Sequence, residues 1–290
     1  MMKYAYYPGC SLHGTAKEYD ISTRTVARAL GIELQEIPDW NCCGSSSAHA
    51  TDHLLSLALP ARNLGLAEKM GLDVVAPCAM CYNRLASARY EMLNSPSLAA
   101  KINEITETPY TGRVAAKPFL QAVVEDYGID QIAPLVKKPL AGLKVAAYYG
   151  CLMVRPRRVT QFDDPENPQS LDKLVKALGG EPVEWPGKVE CCGAGLVLAR
   201  TDIVVKLAND ILGWAKEAGA EAIVAACPMC QSNLDSRQGE VANTYGQTYN
   251  LPVYYFTQLL GIALGAGASE LGLATHFVDT LGVLRQKQLA

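Results

Sequence analysis

The ten cysteines of this 290-residue chain fall into two sets of the same design, and none is left over. The first set is Cys10, the adjacent pair Cys42 and Cys43, then Cys78 and Cys81. The second is Cys151, the adjacent pair Cys191 and Cys192, then Cys227 and Cys230. The fold must therefore be built twice and must gather five thiols in each copy. Thiolate is the softest ligand a protein offers, and five exceed what a tetrahedral zinc site needs. The arrangement points to iron–sulfur chemistry, done twice.

The segments around the cysteines repeat as well. Tyr4-Ala5-Tyr6-Tyr7-Pro8-Gly9-Cys10 matches Val145-Ala146-Ala147-Tyr148-Tyr149-Gly150-Cys151, each a short apolar run stopped by Gly-Cys. Such a run reads as a strand ending in a ligand-bearing loop. Glu36-Ile37-Pro38 precedes Cys42-Cys43-Gly44 as Val183-Glu184-Trp185-Pro186 precedes Cys191-Cys192-Gly193. Asp73 to Cys78 matches Glu221 to Cys227 in the same way. The offset between copies is 141 residues at the first cysteine and 149 at the later ones, so eight residues are gained between Cys151 and Cys191. The polar, proline-bearing stretch Asp163 to Pro168 is the expected insertion.

Helical patterns lie between the strand candidates: Ser22 to Leu30, His53 to Met70 with Pro60 as a kink, Leu171 to Leu178 and Asp202 to Ala218, each stopped by glycine. Alternating strand and helix predicts an α/β fold of two pseudo-twofold-related halves. Each half is expected to be a small Rossmann-like parallel sheet with flanking helices and cysteine-bearing loops. Ligands usually sit in loops at the carboxyl ends of such strands, and the cysteines follow the strand candidates. The halves are expected to join near Gly128 to Gly142, giving a first cysteine-rich domain over 1–135 and a second over 140–290.

Formal net charge is −3, which gives no reason to expect a nucleic-acid surface. No basic stretch followed by an apolar one opens the chain, and no apolar run reaches bilayer length. The expected compartment is reducing cytoplasm, where cysteines serve as ligands or catalysts more than as structural disulfides.

Cys78-x-x-Cys81 and Cys227-x-x-Cys230 each place two sulfurs on a tight loop entering a helix, whose N-terminal N–H groups favour thiolate. Neighbouring residues such as Cys42 and Cys43 point in different directions. They suit two irons of one larger cluster better than a single ion. Gly44 and Gly193 are expected to allow close backbone approach. Structural zinc, a disulfide framework and ordinary cubane clusters with a spare cysteine each are the competing readings.

Two copies of this spacing, each with Cys-Cys-Gly, resemble the CCG-domain proteins. Tyr7-Pro8-Gly9-Cys10 and Ala226-Cys227-Pro228-Met229-Cys230 resemble the B subunit of heterodisulfide reductase, over about residues 3–265. The resemblance implies that each set of five cysteines holds a non-cubane [4Fe-4S] cluster. It also implies that a disulfide substrate, of the coenzyme M–coenzyme B type, is cleaved between the two clusters. The implied partners are the flavin-containing and the ferredoxin-like iron–sulfur proteins that serve as the A and C subunits of such complexes. One departure concerns the first pair: methanogenic members often follow it with proline, whereas Gly44 and Ser45-Ser46-Ser47 stand here. The stretch Gly44 to Asp52 is expected to cover the first cluster, so the change bears on which disulfide is taken. The alternative from another class is an electron-transfer module handing electrons to a quinone or a partner enzyme.

Outside the cysteines, His13 and His49 are the candidate proton donors, since imidazole titrates near neutrality. A loop histidine bonded to backbone is the plainer reading. Arg155, Arg157 and Arg158 are candidates for gripping an anionic substrate, with Lys188 a weaker one, or else they face solvent or a partner. Trp40, Trp185 and the tyrosines beside the cysteines read as packing. Phe256 to Leu264 reads as a core helix or a surface for a partner protein, and the sequence assigns no role to His276.

Overall fold

The computed structural model describes residues 2–289. Strands β1 (Met2–Tyr6), β2 (Ile32–Glu36), β3 (Val74–Ala76) and β4 (Ala116–Pro118) form one sheet in the order β2-β1-β3-β4. Strands β5 (Lys144–Tyr148), β6 (Glu181–Pro182), β7 (Ala222–Ala225) and β8 (Val253–Tyr255) form a second sheet in the equivalent order β6-β5-β7-β8. Every pairing is parallel. The protein is thus α/β, with two similar halves. β3 and β7 are buried along their whole length, as continuous apolar strands covered on both faces must be.

In the first half the helices are α1 (Gly9–His13), α2 (Lys17–Ala29), α3 (Ser45–Thr51), α4 (His53–Met70) and α5 (Ala79–Asn94). α4 runs through Pro60 and is capped by the Asp52 side chain, which accepts from the Leu55 N–H. α2 starts at Lys17, more than a turn ahead of the apolar pattern that begins at Ser22. Its first turn is held by Tyr19, stacked on Tyr255 of the other half at 4.0 Å between ring centroids. Local periodicity cannot register that partner. The fourth strands also escaped the sequence: unlike the equally short β3, they lead into no cysteine that would mark them.

In the second half, a longer connection separates Cys151 from its helix Ser170–Ala177 than separates Cys10 from α2. The Asp163 carboxylate folds that connection by accepting from the Gln169 and Ser170 backbone N–H groups.

The halves share a buried seam. Ser22 and Thr257 bond through their hydroxyls at 2.7 Å, and Tyr82 donates to the Thr160 carbonyl at 2.6 Å. The Asn83 amide donates to the carbonyls of Leu152 and Arg155. The helix Phe256–Ala263 is buried at every residue, so it is core and leaves no face for a partner protein. It follows β8 and lies against α2, with Phe256 beside both Tyr19 and Phe119.

Buried Glu68 closes the loop after α4. It accepts from the backbone N–H groups of Thr111 and Arg113, both at 2.7 Å. Burial alone would raise its pKa, but these bonds outweigh it and lower the value. Its stabilisation is therefore present above the unfolded-state pKa of about 4.3 and is lost as pH falls through the folded value. Denaturant titrations at several pH values should show that Glu68→Gln flattens the acid limb of the stability curve while lowering stability at neutral pH.

Candidate functional site

All ten cysteines lie at the carboxyl ends of strands. Cys10 and Cys151 follow β1 and β5, the vicinal pairs follow β2 and β6, and Cys78 and Cys227 follow β3 and β7. Cys78 is the N-cap of α5, and Cys227 the N-cap of the helix Pro228–Ser236. Three consecutive strand ends in one parallel sheet converge on a common crevice, and here each contributes sulfur.

The vicinal pairs split as their geometry demands. Cys42 turns outward to Cys10, with sulfurs 3.8 Å apart, while Cys43 turns inward to Cys81 at 3.5 Å. The second half repeats this, Cys192 meeting Cys230 at 3.6 Å and Cys191 meeting Cys151. All ten thiols are free. These spacings are far from the roughly 2.05 Å of a disulfide. The remaining member of each set, Cys78 or Cys227, is buried at the N-terminus of its helix, close enough to the other that each shifts its partner's pKa, Cys78 upward and Cys227 downward.

The thiols perturb one another strongly. The contact with the Cys10 thiol depresses Cys42 to about 2, while the same contact and burial push Cys10 well up. Cys191 is depressed to about 6, chiefly by the Cys151 thiol and also by the Gly193 N–H at 3.3 Å. Cys227 is lowered by the Cys230 and Cys78 thiols, with backbone N–H groups of Met229 and Cys230 adding to it. Anionic sulfur is thus favoured at Cys42, Cys191 and Cys227, while neighbouring thiols and burial hold Cys10, Cys78 and Cys151 well up.

The glycine before each upstream cysteine is what lets the set close. Gly9 and Gly150 have φ of +67° and +65°. A Cβ at Gly9 would lie 2.9 Å from the Cys81 sulfur, and one at Gly150 would lie 3.0 Å from the Cys230 sulfur. Gly44 and Gly193 do something different from what their position beside the pairs implies. Both are left-handed, and a Cβ at Gly44 would strike Ala48 and Leu59 rather than a sulfur. They turn the chain tightly into the next helix.

Two tyrosines that read as packing also hold the loops. Tyr7 donates to the Asn41 carbonyl at 2.8 Å and Tyr148 to the Glu190 carbonyl at 2.7 Å, each fixing the residue before a vicinal pair. Their signal in the sequence is position: each stands three residues before the upstream cysteine of its set.

Four of the second-set thiols, those of Cys151, Cys191, Cys192 and Cys227, line one cavity of about 160 Å³, and the fifth, Cys230, completes the lining. Ser46, Ala79, Met80 and Arg84 reach its wall from the first half, and Tyr149 and Leu152 from the second. Among the described residues, no three His, Cys, Asp or Glu side chains converge on one point as the ligands of a single ion would. The donor set fits a cluster that spreads its ligands over several metal atoms.

The other predicted residues lie apart from this cavity. Exposed His13 pairs with the Glu36 carboxylate at 3.2 Å and sits edge-on to Trp40. His49 is exposed on α3. Arg155 is committed to the second-half insertion, bonding the Pro165 carbonyl and the Glu166 carboxylate. Arg157 and Arg158 line a separate surface depression with Gln161 and Asp163. Lys188 is buried against Asp172 at 2.9 Å, so its ammonium is not free to grip a substrate. Asp172 also accepts from the Tyr149 hydroxyl, which fixes that ring against the second set. His276 is buried between the side-chain amides of Gln231 and Gln258. Sequence reasoning missed Arg84, whose signal is its place one turn beyond Cys81 on α5.

Fold and site together define a duplicated cysteine-rich protein, with one five-thiol crevice per half. The family model described as "CCG: Cysteine-rich domain" matches residues 4–86 and 145–235. The chain is 36% identical, over 96% of its length and 97% of the relative's, to the 8-methylmenaquinol:fumarate reductase membrane anchor subunit of Wolinella succinogenes. It is 30% identical to the B subunit of the ferredoxin:CoB-CoM heterodisulfide reductase of Methanosarcina mazei, over 98% of this chain and 96% of the relative. It is 31% identical to a protein of Archaeoglobus profundus described as like the B subunit of heterodisulfide reductase, over 91% of each. A crystal structure of a hypothetical protein from Helicobacter pylori shares the fold, with a TM-score of 0.75 at 14% identity, over 96% of this chain and 52% of that one. The chain belongs to the CCG cysteine-rich family, among the members that resemble the heterodisulfide reductase B subunit. It is accordingly an iron–sulfur electron-transfer subunit of an oxidoreductase that works in a complex. Among the described residues no helix is long and apolar enough to cross a membrane.

Gly150→Ala tests the close approach directly. The added methyl should displace the Cys230 sulfur and strain a left-handed residue. Iron and sulfide analysis should find roughly half the wild-type iron in a folded protein, because the first set is untouched.

Proposed function

We propose that the two thiol sets hold two non-cubane [4Fe-4S] clusters. In this reading the chain is the catalytic subunit of a heterodisulfide reductase-like complex, reducing a disulfide of the CoM-S-S-CoB type, or a bacterial analogue, to two thiols. The observation that carries it is the cavity lined by all five second-set thiols and walled by Ser46, Ala79, Met80 and Arg84 of the first half. Cleaving a disulfide takes two electrons and two protons and yields two thiols. The two five-cysteine sets would hold the clusters, which when bound would supply those electrons one at a time.

The chain's own residues do the rest. Met80 and Leu152 give the cavity apolar walls that limit water. Tyr149, fixed by Asp172, holds the second set's wall in place. His13, paired with Glu36 just beyond Cys10, and His49 on α3 are the proposed proton donors on the first side. The proposed sources of electrons are a flavin-containing protein and a ferredoxin-like iron–sulfur protein, the A and C subunits of a cytoplasmic complex.

The second reading is electron transfer to or from a quinone through a partner. It is favoured by the Wolinella succinogenes relative, which is named for menaquinol:fumarate reduction. Metal analysis should find about eight irons per chain if both sets hold four-iron clusters, and about four removes one half from the chemistry. Spectroscopic titration with thiols after one-electron oxidation separates the readings. Disulfide chemistry requires the cluster signal to change as thiol binds, and an indifferent signal selects the electron-transfer reading.

A further inference from the structure

The pseudo-twofold that repeats the cysteines is broken at one position beside them. The 149-residue offset places Arg84 opposite Asn233, each three residues beyond the last cysteine of its set. Asn233 is buried and donates from its amide to the Cys192 carbonyl at 2.9 Å, bracing the vicinal pair of its own half. Arg84 puts a guanidinium at the same place. Its Nε is buried with no hydrogen-bond partner. Burial lowers its pKa, and Cys43, the first-half equivalent of Cys192, raises it. Arg84 also lines the cavity of the other half, together with the second-set cysteines. A half-buried cation with no carboxylate beside it is held at a cost unless an anion offsets it. No carboxylate lines the cavity with it, and five thiols do.

We propose that Arg84 is a shared counter-charge for both cysteine sets, raising the reduction potentials of the clusters they hold. The physical basis is simple. Adding an electron to a thiolate-ligated cluster increases negative charge in a site shielded from water, and a fixed cation nearby stabilises that reduced form. Arginine suits the role because its charge survives burial, whereas a lysine amine loses its proton more readily. Asn233 offers only a neutral dipole at the equivalent place. The symmetry of the ligands therefore conceals an asymmetry of charge, and both clusters draw on a single cation from the first half. Arg84 acts through the clusters, so it is a positioning residue and takes no part in bond making.

The inference rests on the iron–sulfur reading, and iron analysis of the wild-type protein tests that reading separately. The experiment is an EPR-monitored redox titration of the iron-loaded full chain, comparing wild type with Arg84→Asn and Arg84→Lys. Arg84→Asn copies the second half's own residue into the first. It should lower the potentials of both clusters, reducing the ratio of reduced to oxidised cluster at least tenfold at fixed potential, about 59 mV for a one-electron couple. Arg84→Lys should restore most of that shift. Unchanged potentials in Arg84→Asn overturn the proposal, as does a shift confined to one cluster. If Arg84→Asn folds but fails to load iron, Arg84→Lys decides. Loading at near wild-type potential supports the charge, and failure to load makes the role steric and overturns it.

Discussion

Two helix N-termini meet at the centre of this molecule, and each carries a cysteine at its cap. Cys78 and Cys227 are buried there and shift each other's pKa in opposite directions, which couples the two thiol sets. The N-termini of α5 and of the helix Pro228–Ser236 bring N–H donors and positive dipole ends to these sulfurs. The parallel sheets provide this because their strands end together, so that three loops in each half open on one side. The stacked pair Tyr19–Tyr255 and the buried hydroxyl pair Ser22–Thr257 join the two halves.

Within each half, precision comes from small devices repeated in register. A left-handed glycine allows the backbone to lie against the inner sulfur, at Gly9 over Cys81 and at Gly150 over Cys230. A tyrosine hydroxyl holds the carbonyl before the vicinal pair, at Tyr7 and at Tyr148. The pair then divides, one sulfur outward and one inward, so that adjacent residues serve different corners of the same site. None of these devices involves a large movement. They resemble the supporting shell of other metal sites, in which neighbours fix the orientation of the ligands.

The repeat is not perfect, and its imperfections are informative. The second half lengthens the connection after Cys151 and uses Arg155 to bind that connection through Pro165 and Glu166. It also buries a Lys188–Asp172–Tyr149 network that the first half lacks among the described residues. The first half places a helix, α3, where the second has only a short turn, Ala194–Leu196, and Ser46 from that helix reaches the cavity of the other set. The two halves thus contribute different walls to the cavity.

The cysteine pattern alone determined the duplication, the α/β class and the ten thiols, because ligand spacing and strand–helix alternation are local properties of the chain. His53–Met70 was legible to the residue, since an Asp52 cap and a Gly71 stop both lie within its own segment. Only the tertiary structure decided which thiols pair, and that Lys188 and Arg155 are engaged elsewhere. It alone revealed the early start of α2, the short fourth strands and the place of Arg84. Each of these depends on a partner far away in sequence, and a side chain's charge or ring takes on a role only when folding sets that partner beside it.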